Sequence, residues 1–72
     1  IGLAHYKDET AVDLLIEVLE EDVRPVIRGT AAWALGKIGT EKAKNTLEKM
    51  LEKESDERVV FEIERAIKRI TS

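Results

Sequence analysis

The chain has 72 residues, no cysteine, 43% hydrophobic and 38% charged residues, and a formal net charge of −3. That composition belongs to one small, charge-rich helical domain; it excludes a disordered segment, a disulfide scaffold and any thiolate-bound zinc or iron–sulfur site. No apolar run is long enough to cross a membrane or serve as a secretory signal, and the acidic balance argues against indiscriminate nucleic-acid binding while leaving room for a local basic stripe.

In chain order, residues 1–6 read as the tail of an earlier helix, so the chain is expected to be part of something longer. Lys7, Asp8 and Glu9 form a polar turn in which Asp8 can cap the next helix. The first full helix is expected over residues 9–20. Its apolar set (Ala11, Val12, Leu14, Leu15, Ile16, Val18 and Leu19) is wide, as in a helix covered on both flanks. A loop follows to Arg24, and Pro25 opens a second helix to residue 38, because a first helical residue needs no N–H. Ile27, Ala31, Ala34, Leu35 and Ile38 recur at helical period, and Gly39 is a stop signal. On the opposite side, roughly 145° from that stripe, Trp33 lies among Val26, Gly29, Thr30, Gly36 and Lys37. Small residues beside an aromatic admit another backbone or a flat ligand. Thr40 caps a third helix over residues 41–53, whose narrow stripe is Ala43, Leu47, Met50 and Leu51. The fourth is expected over residues 57–70, with Val59, Val60, Phe61, Ile63, Ala66, Ile67 and Ile70. Nothing alternates as a strand would.

The two halves repeat. A shift of 32 residues superposes Ile27 on Val59, Ala31 on Ile63, Ala34 on Ala66, Leu35 on Ile67 and Ile38 on Ile70. The same shift carries Ala11, Leu15, Val18 and Leu19 onto Ala43, Leu47, Met50 and Leu51. A fixed period in this range marks stacked helical hairpins. The expected fold is all-α, a short α-solenoid of four helices plus the tail of an earlier one. Its repeats span residues 8–38 and 40–70 within a single domain, and the polar outer face of the third helix suits a place near the end of the stack.

The pattern Ala11-Val12, Leu15-Ile16, Leu19, then Val26-Ile27-Arg28, Ala31-Ala32, Ala34-Leu35-Gly36, Ile38-Gly39 resembles the HEAT-like repeats of the phycocyanobilin lyase type. That resemblance covers the whole chain and speaks for fold alone. The run from Asp22 through Arg24-Pro25 to Arg28-Gly29-Thr30-Ala31-Ala32-Trp33-Ala34-Leu35-Gly36 is similar to the C-terminal HEAT-like region of epoxyqueuosine reductase. That family comprises cytoplasmic iron–sulfur and cobalamin enzymes that complete queuosine in tRNA. The resemblance implies an accessory, non-catalytic helical part of such an oxidoreductase, helping to grip tRNA. Its cluster cysteines have no counterpart here, so no cofactor is assigned to this chain. The second repeat departs from the pattern: Val60 stands where Arg28 would recur, and Lys68 where Gly36 would.

Candidate functional residues follow from the same register. His5, Lys37 and Arg69 fall at one equivalent position, and Trp33 and Arg65 at another one turn earlier. With Arg58 they would form a cationic stripe holding one aromatic, suited to a phosphate backbone with Trp33 stacked on a base or ribose. Two plainer readings stand beside it. Cations in a last helical turn complement the helix dipole, and Trp33 can pack on a neighbouring repeat. Glu62 and Glu64 would weaken the stripe's field. Arg28, early in its helix, is expected to pair with a loop acid, either Asp22 or a loop carboxylate of the next unit such as Asp56, and so to fix repeat stacking. His5 has no second histidine or cysteine to complete a metal site. The loop acids Glu20, Glu21, Asp22, Glu54, Asp56 and Glu57 are solvated and lack the contrast in environment that a catalytic pair needs. No catalytic, cofactor-binding or metal-ligating residue is expected. The partners that remain are tRNA, through a parent enzyme, or another protein or domain. In the latter case the module would be a protein-interaction scaffold or a stabilising C-terminal cap. The polar faces are mixed in sign or acidic, which does not suit a membrane surface. The isolated chain is expected to be a monomer, or a dimer through an exposed N-terminal end.

Overall fold

The computed structural model describes residues 9–72. The tail at residues 1–6, the Asp8 cap and His5 lie outside the described residues. Four helices follow in order: α1 (Glu9–Glu21), α2 (Pro25–Ile38), α3 (Glu41–Lys53) and α4 (Glu57–Thr71). Their bounds follow local signals. Pro25 is the first residue of α2, and Gly39 ends it in the left-handed conformation (φ 70°) with its N–H on the Leu35 carbonyl. There a side chain would strain the backbone. The Thr40 hydroxyl accepts the Ala43 N–H at 3.2 Å, and an Asp56 carboxylate oxygen accepts the Arg58 N–H at 2.9 Å, so α3 and α4 each begin on a side-chain cap.

Helices α1 and α2 form one hairpin and α3 and α4 the next. The hairpins stack with α2 against α4 and α1 against α3. The core runs along the plane between them: Leu19, Leu35, Leu47, Val12, Val59 and Ile63 are fully buried. Each such aliphatic side chain contributes about 1.5–3 kcal/mol of burial. The stripe expected on α3 is the one buried, with Ala43, Leu47 and Met50 inside. On α1, Val12 and Leu19 are buried but Leu14 is 58% exposed, so among the described residues only one flank is covered. Two surface ion pairs, Lys42–Asp13 (2.6 Å) and Lys49–Glu20 (3.1 Å), link α3 to α1.

The α2–α4 seam differs from an ordinary helix contact. Burial on α2 wraps beyond the expected stripe to take in Gly29, Ala32 and Gly36. A Cβ added at Gly36 would lie 2.7 Å from the Ala66 Cβ and 2.8 Å from its Cα. At Gly36 the small residues around Trp33 therefore admit another backbone, that of α4. Gly29 against Glu62 and Gly36 against Ala66 also show that α2 and α4 run parallel.

Candidate functional site

Trp33 stands on the outer edge of this close seam. Gly29, Ala32 and Gly36 hold their side of α2 down on α4, so the large residue between them projects outward and is 50% exposed. A surface cleft of about 510 Å³ opens beside it, lined by Trp33, Phe61, Glu62, Arg65, Ala66, Lys68, Arg69 and Ser72. A second, of about 350 Å³, lies toward the start of α2 and is lined by Pro25, Val26, Gly29, Thr30, Trp33, Arg58 and Glu62. Trp33 and Glu62 border both.

Of the residues singled out in the sequence, Trp33, Arg65 and Arg69 meet in the first cleft. Lys37 joins them through Trp33: its Nζ sits over the indole, 5.0 Å from the ring centroid. Arg58 borders the second cleft, yet its charge is matched, because its guanidinium donates to both Asp56 carboxylate oxygens at 3.2 and 3.0 Å. That pairing raises the Arg58 pKa and holds the Asp56 carboxyl below its ordinary value. Lys37, Arg65, Lys68 and Arg69 take part in no ion pair among the described residues. Lys37 lies in the last turn of α2, and Lys68 and Arg69 in the last turn of α4, where cations also complement the helix dipoles.

Phe61 and Lys68 also line the first cleft, beyond the residues that the sequence assigns to it. Helical periodicity puts Phe61 in the apolar set of α4, but it is 54% exposed and carries the Arg65 guanidinium over its ring at 5.5 Å. A signal for it existed. Phe61–Arg65 and Trp33–Lys37 are both aromatic–cation pairs four residues apart, the spacing that puts two side chains on one helix face. In sequence Lys68 marks a break in the repeat, and in the fold it borders the first cleft.

The expected ion pair between Arg28 and Asp22 does not form. The Asp22 carboxylate turns back on its own loop, accepting the Arg24 main-chain N–H at 2.8 Å and the Arg24 guanidinium at 3.0 and 2.8 Å. A short acidic side chain readily bonds the backbone two residues on, and this one is thereby committed locally. The Arg24 bonds hold its carboxyl down at about 2. Arg28 instead reaches the next hairpin. Its Nε and Nη2 donate to the two Glu54 carboxylate oxygens at 2.9 and 2.8 Å, and its Nη1 donates to the Asp22 main-chain carbonyl at 2.9 Å. Glu54 also accepts the Asp56 N–H at 3.0 Å. The Arg28 bonds lower the Glu54 pKa while burial opposes the shift. The pair joins the first hairpin to the loop of the second, and the partner is a loop carboxylate of the next unit, Glu54 and not Asp56.

Among the described residues no group of His, Cys, Asp or Glu is arranged to hold a metal ion. With no cysteine in the chain, an iron–sulfur cluster has no ligands here. Among the described residues no helix is long and apolar enough to cross a membrane.

A family model described as HEAT repeats matches residues 1–68. Epoxyqueuosine reductase of Bacillus subtilis is 55% identical over 67 residues, which is 93% of this chain and 17% of that protein. The relative described as the uncharacterized protein in gldA 3'region of Geobacillus stearothermophilus is 58% identical over 67 residues, 93% of this chain and 31% of that protein. A crystal structure of epoxyqueuosine reductase with a tRNA-Tyr epoxyqueuosine-modified tRNA stem loop superposes with a TM-score of 0.84 at 52% identity, over 99% of this chain and 19% of that one. The chain thus spans between 17% and 31% of the length of these relatives.

Proposed function

We propose, from the premise that the chain belongs to the HEAT repeat family, that it is a non-catalytic RNA-gripping module of a cytoplasmic enzyme of the epoxyqueuosine reductase kind, and that the α2–α4 face is its contact surface. The carrying observation is the first cleft, where Arg65, Lys68 and Arg69, with Lys37 beside them on Trp33, gather on a chain of net charge −3. A protein that is acidic overall but cationic at one seam binds a polyanion there and repels it elsewhere. The similarity to a reductase solved with a tRNA stem loop supports tRNA as that polyanion. On this reading the two hairpins form a C-terminal part of a longer chain, and reductive chemistry, cluster and cobalamin reside outside these residues.

The test is binding of a tRNA anticodon stem loop across a salt series. Four phosphate contacts give a log–log slope of roughly −3. The double variant Arg65→Glu/Arg69→Glu is expected to lower affinity at least tenfold and to flatten the slope. Equal binding by wild type and variant would sink the reading. A second reading, docking of a protein segment, rests on a specific observation: Val26 is 67% exposed beside Pro25, Thr30 and Trp33 in the second cleft. It predicts that Val26→Asp abolishes partner capture while leaving RNA affinity within twofold.

A further inference from the structure

We infer that Trp33 and Phe61 are positioning residues, each holding a cation of its own helix at the seam, so that this face takes the phosphate backbone of a paired RNA stem and not unpaired, stacked bases. The inference rests on the RNA reading above and specifies how the surface works.

An aromatic on a nucleic-acid surface usually offers its ring face to a base. Here each ring already has a cation over one face: Lys37 Nζ at 5.0 Å from the Trp33 centroid and Arg65 Cζ at 5.5 Å from the Phe61 centroid. A base stacking on that face must first displace the cation, giving up both the ring contact and the charge nearest the phosphate. Left in place, the cation has a restricted set of rotamers and a charge that still faces solvent. Long cationic side chains lose much rotamer freedom when they are pinned by a ligand, and a ring that pins them beforehand reduces that loss.

The two pairs are also out of step. In the repeat register Trp33 aligns with Arg65 and Lys37 with Arg69, so Phe61–Arg65 sits one turn earlier on α4 than Trp33–Lys37 does on α2. One turn is about 5.4 Å along a helix. The parallel, close packing of α2 on α4 turns that offset into a fixed stagger of cations across the seam. Lys68 and Arg69 extend the row in the last turn of α4. Glu62, which borders both clefts, sets the acidic limit of the row and steers phosphates toward the C-terminal ends of the two helices. A staggered, pre-held row of cations, with one face of each ring already taken, suits a regular backbone, which RNA presents in a stem.

Trp33 is the chain's single tryptophan, so its emission reports directly on stacking. The experiment compares a blunt RNA duplex with a single strand of the same base composition, following affinity and Trp33 fluorescence. The expected result is tighter binding of the duplex with little change in Trp33 emission. Trp33→Leu and Phe61→Leu are expected to lower duplex affinity about two- to fivefold, while Trp33→Phe and Phe61→Tyr retain it. Lys37→Met is expected to weaken binding in the wild type but to cost little more in the Trp33→Leu background, because the ring acts through that cation. All the substituted side chains are exposed, and circular dichroism checks that each variant folds. Preference for the single strand with strong quenching of Trp33, or additive losses from Trp33→Leu and Lys37→Met, would overturn the inference while leaving RNA binding intact. Failure to bind either RNA would overturn the RNA reading and this inference with it.

Discussion

Arg28 and Glu54 form the most consequential polar contact in the chain. Their side chains are only 16% and 4% exposed, and the bidentate geometry joins the first hairpin to the loop of the second. Removing one member of such a pair strands a poorly hydrated charge. Arg28→Met is therefore expected to destabilise the fold by about 3 kcal/mol in urea denaturation, whereas Arg28→Met/Glu54→Leu recovers most of the loss. Acid has a related effect. Asp22, Glu54 and Asp56 all titrate below their ordinary values because arginines bond their charged forms. Carboxyls with lowered folded pKa values stabilise the fold fully above the unfolded value near 4 and lose that contribution as pH falls through the folded values. The melting temperature is expected to hold down to about pH 4 and then fall toward pH 2, where Asp22 titrates. The fall should be shallower in Glu54→Gln, which has already lost one of these carboxylates; a pH-independent melting temperature would contradict the assignment. Why Glu54 in particular takes Arg28 is also plain at this scale. Asp22 and Glu54 occupy equivalent positions in the repeat, each accepting the N–H two residues on, but the Arg24 guanidinium occupies both Asp22 oxygens, whereas Asp56 stands at that place after Glu54 and leaves its carboxylate to Arg28 of the preceding repeat.

At the scale of the helices, the two glycines of α2 that face α4 make opposite predictions from the same substitution. In a solvated helix Gly→Ala gains about 1 kcal/mol. Gly29→Ala should realise that gain, since its Cβ would meet only the Glu62 Cγ at 3.5 Å. Gly36→Ala should lose about 1–3 kcal/mol, because its Cβ would fall 2.7 Å from the Ala66 Cβ and the helices must part. Equilibrium unfolding of the two variants separates the cases, and a stabilised Gly36→Ala would disprove the close approach. Helix bounds were legible in sequence because Pro25, Gly39 and Thr40 act locally; α2 matches its expected range, and α1 and α4 each run one residue further. The outward face of α4 was less so. Phe61 belongs to a helix with a strong apolar stripe, and only the packing of α4 on α2 determines that this ring lies outside it.

For the whole molecule, burial is concentrated between the two hairpins. The core lies between the hairpins, while Leu14 on the far side of α1 stays 58% exposed. Leu14→Lys is expected to change unfolding free energy by less than about 0.5 kcal/mol and to reduce any self-association seen by analytical ultracentrifugation. A loss of several times that size would mean that Leu14 belongs to the core after all. Repeat architecture was legible here because a 32-residue shift maps apolar positions onto apolar positions throughout, a constraint that stacking imposes on every unit. Where Gly36 meets Ala66, the two hairpins touch backbone to side-chain stub, with no compressible layer of long side chains between them. Solenoids flex at the junctions between their units, and flexing there changes the distance between groups on neighbouring helices. A junction this thin behaves as a short, hard spring. Bending that opens the outer ends of the hairpins is then expected to leave the spacing across the α2–α4 seam nearly constant, so that the seam would serve as a gauge block, measuring what lies on it without yielding to it.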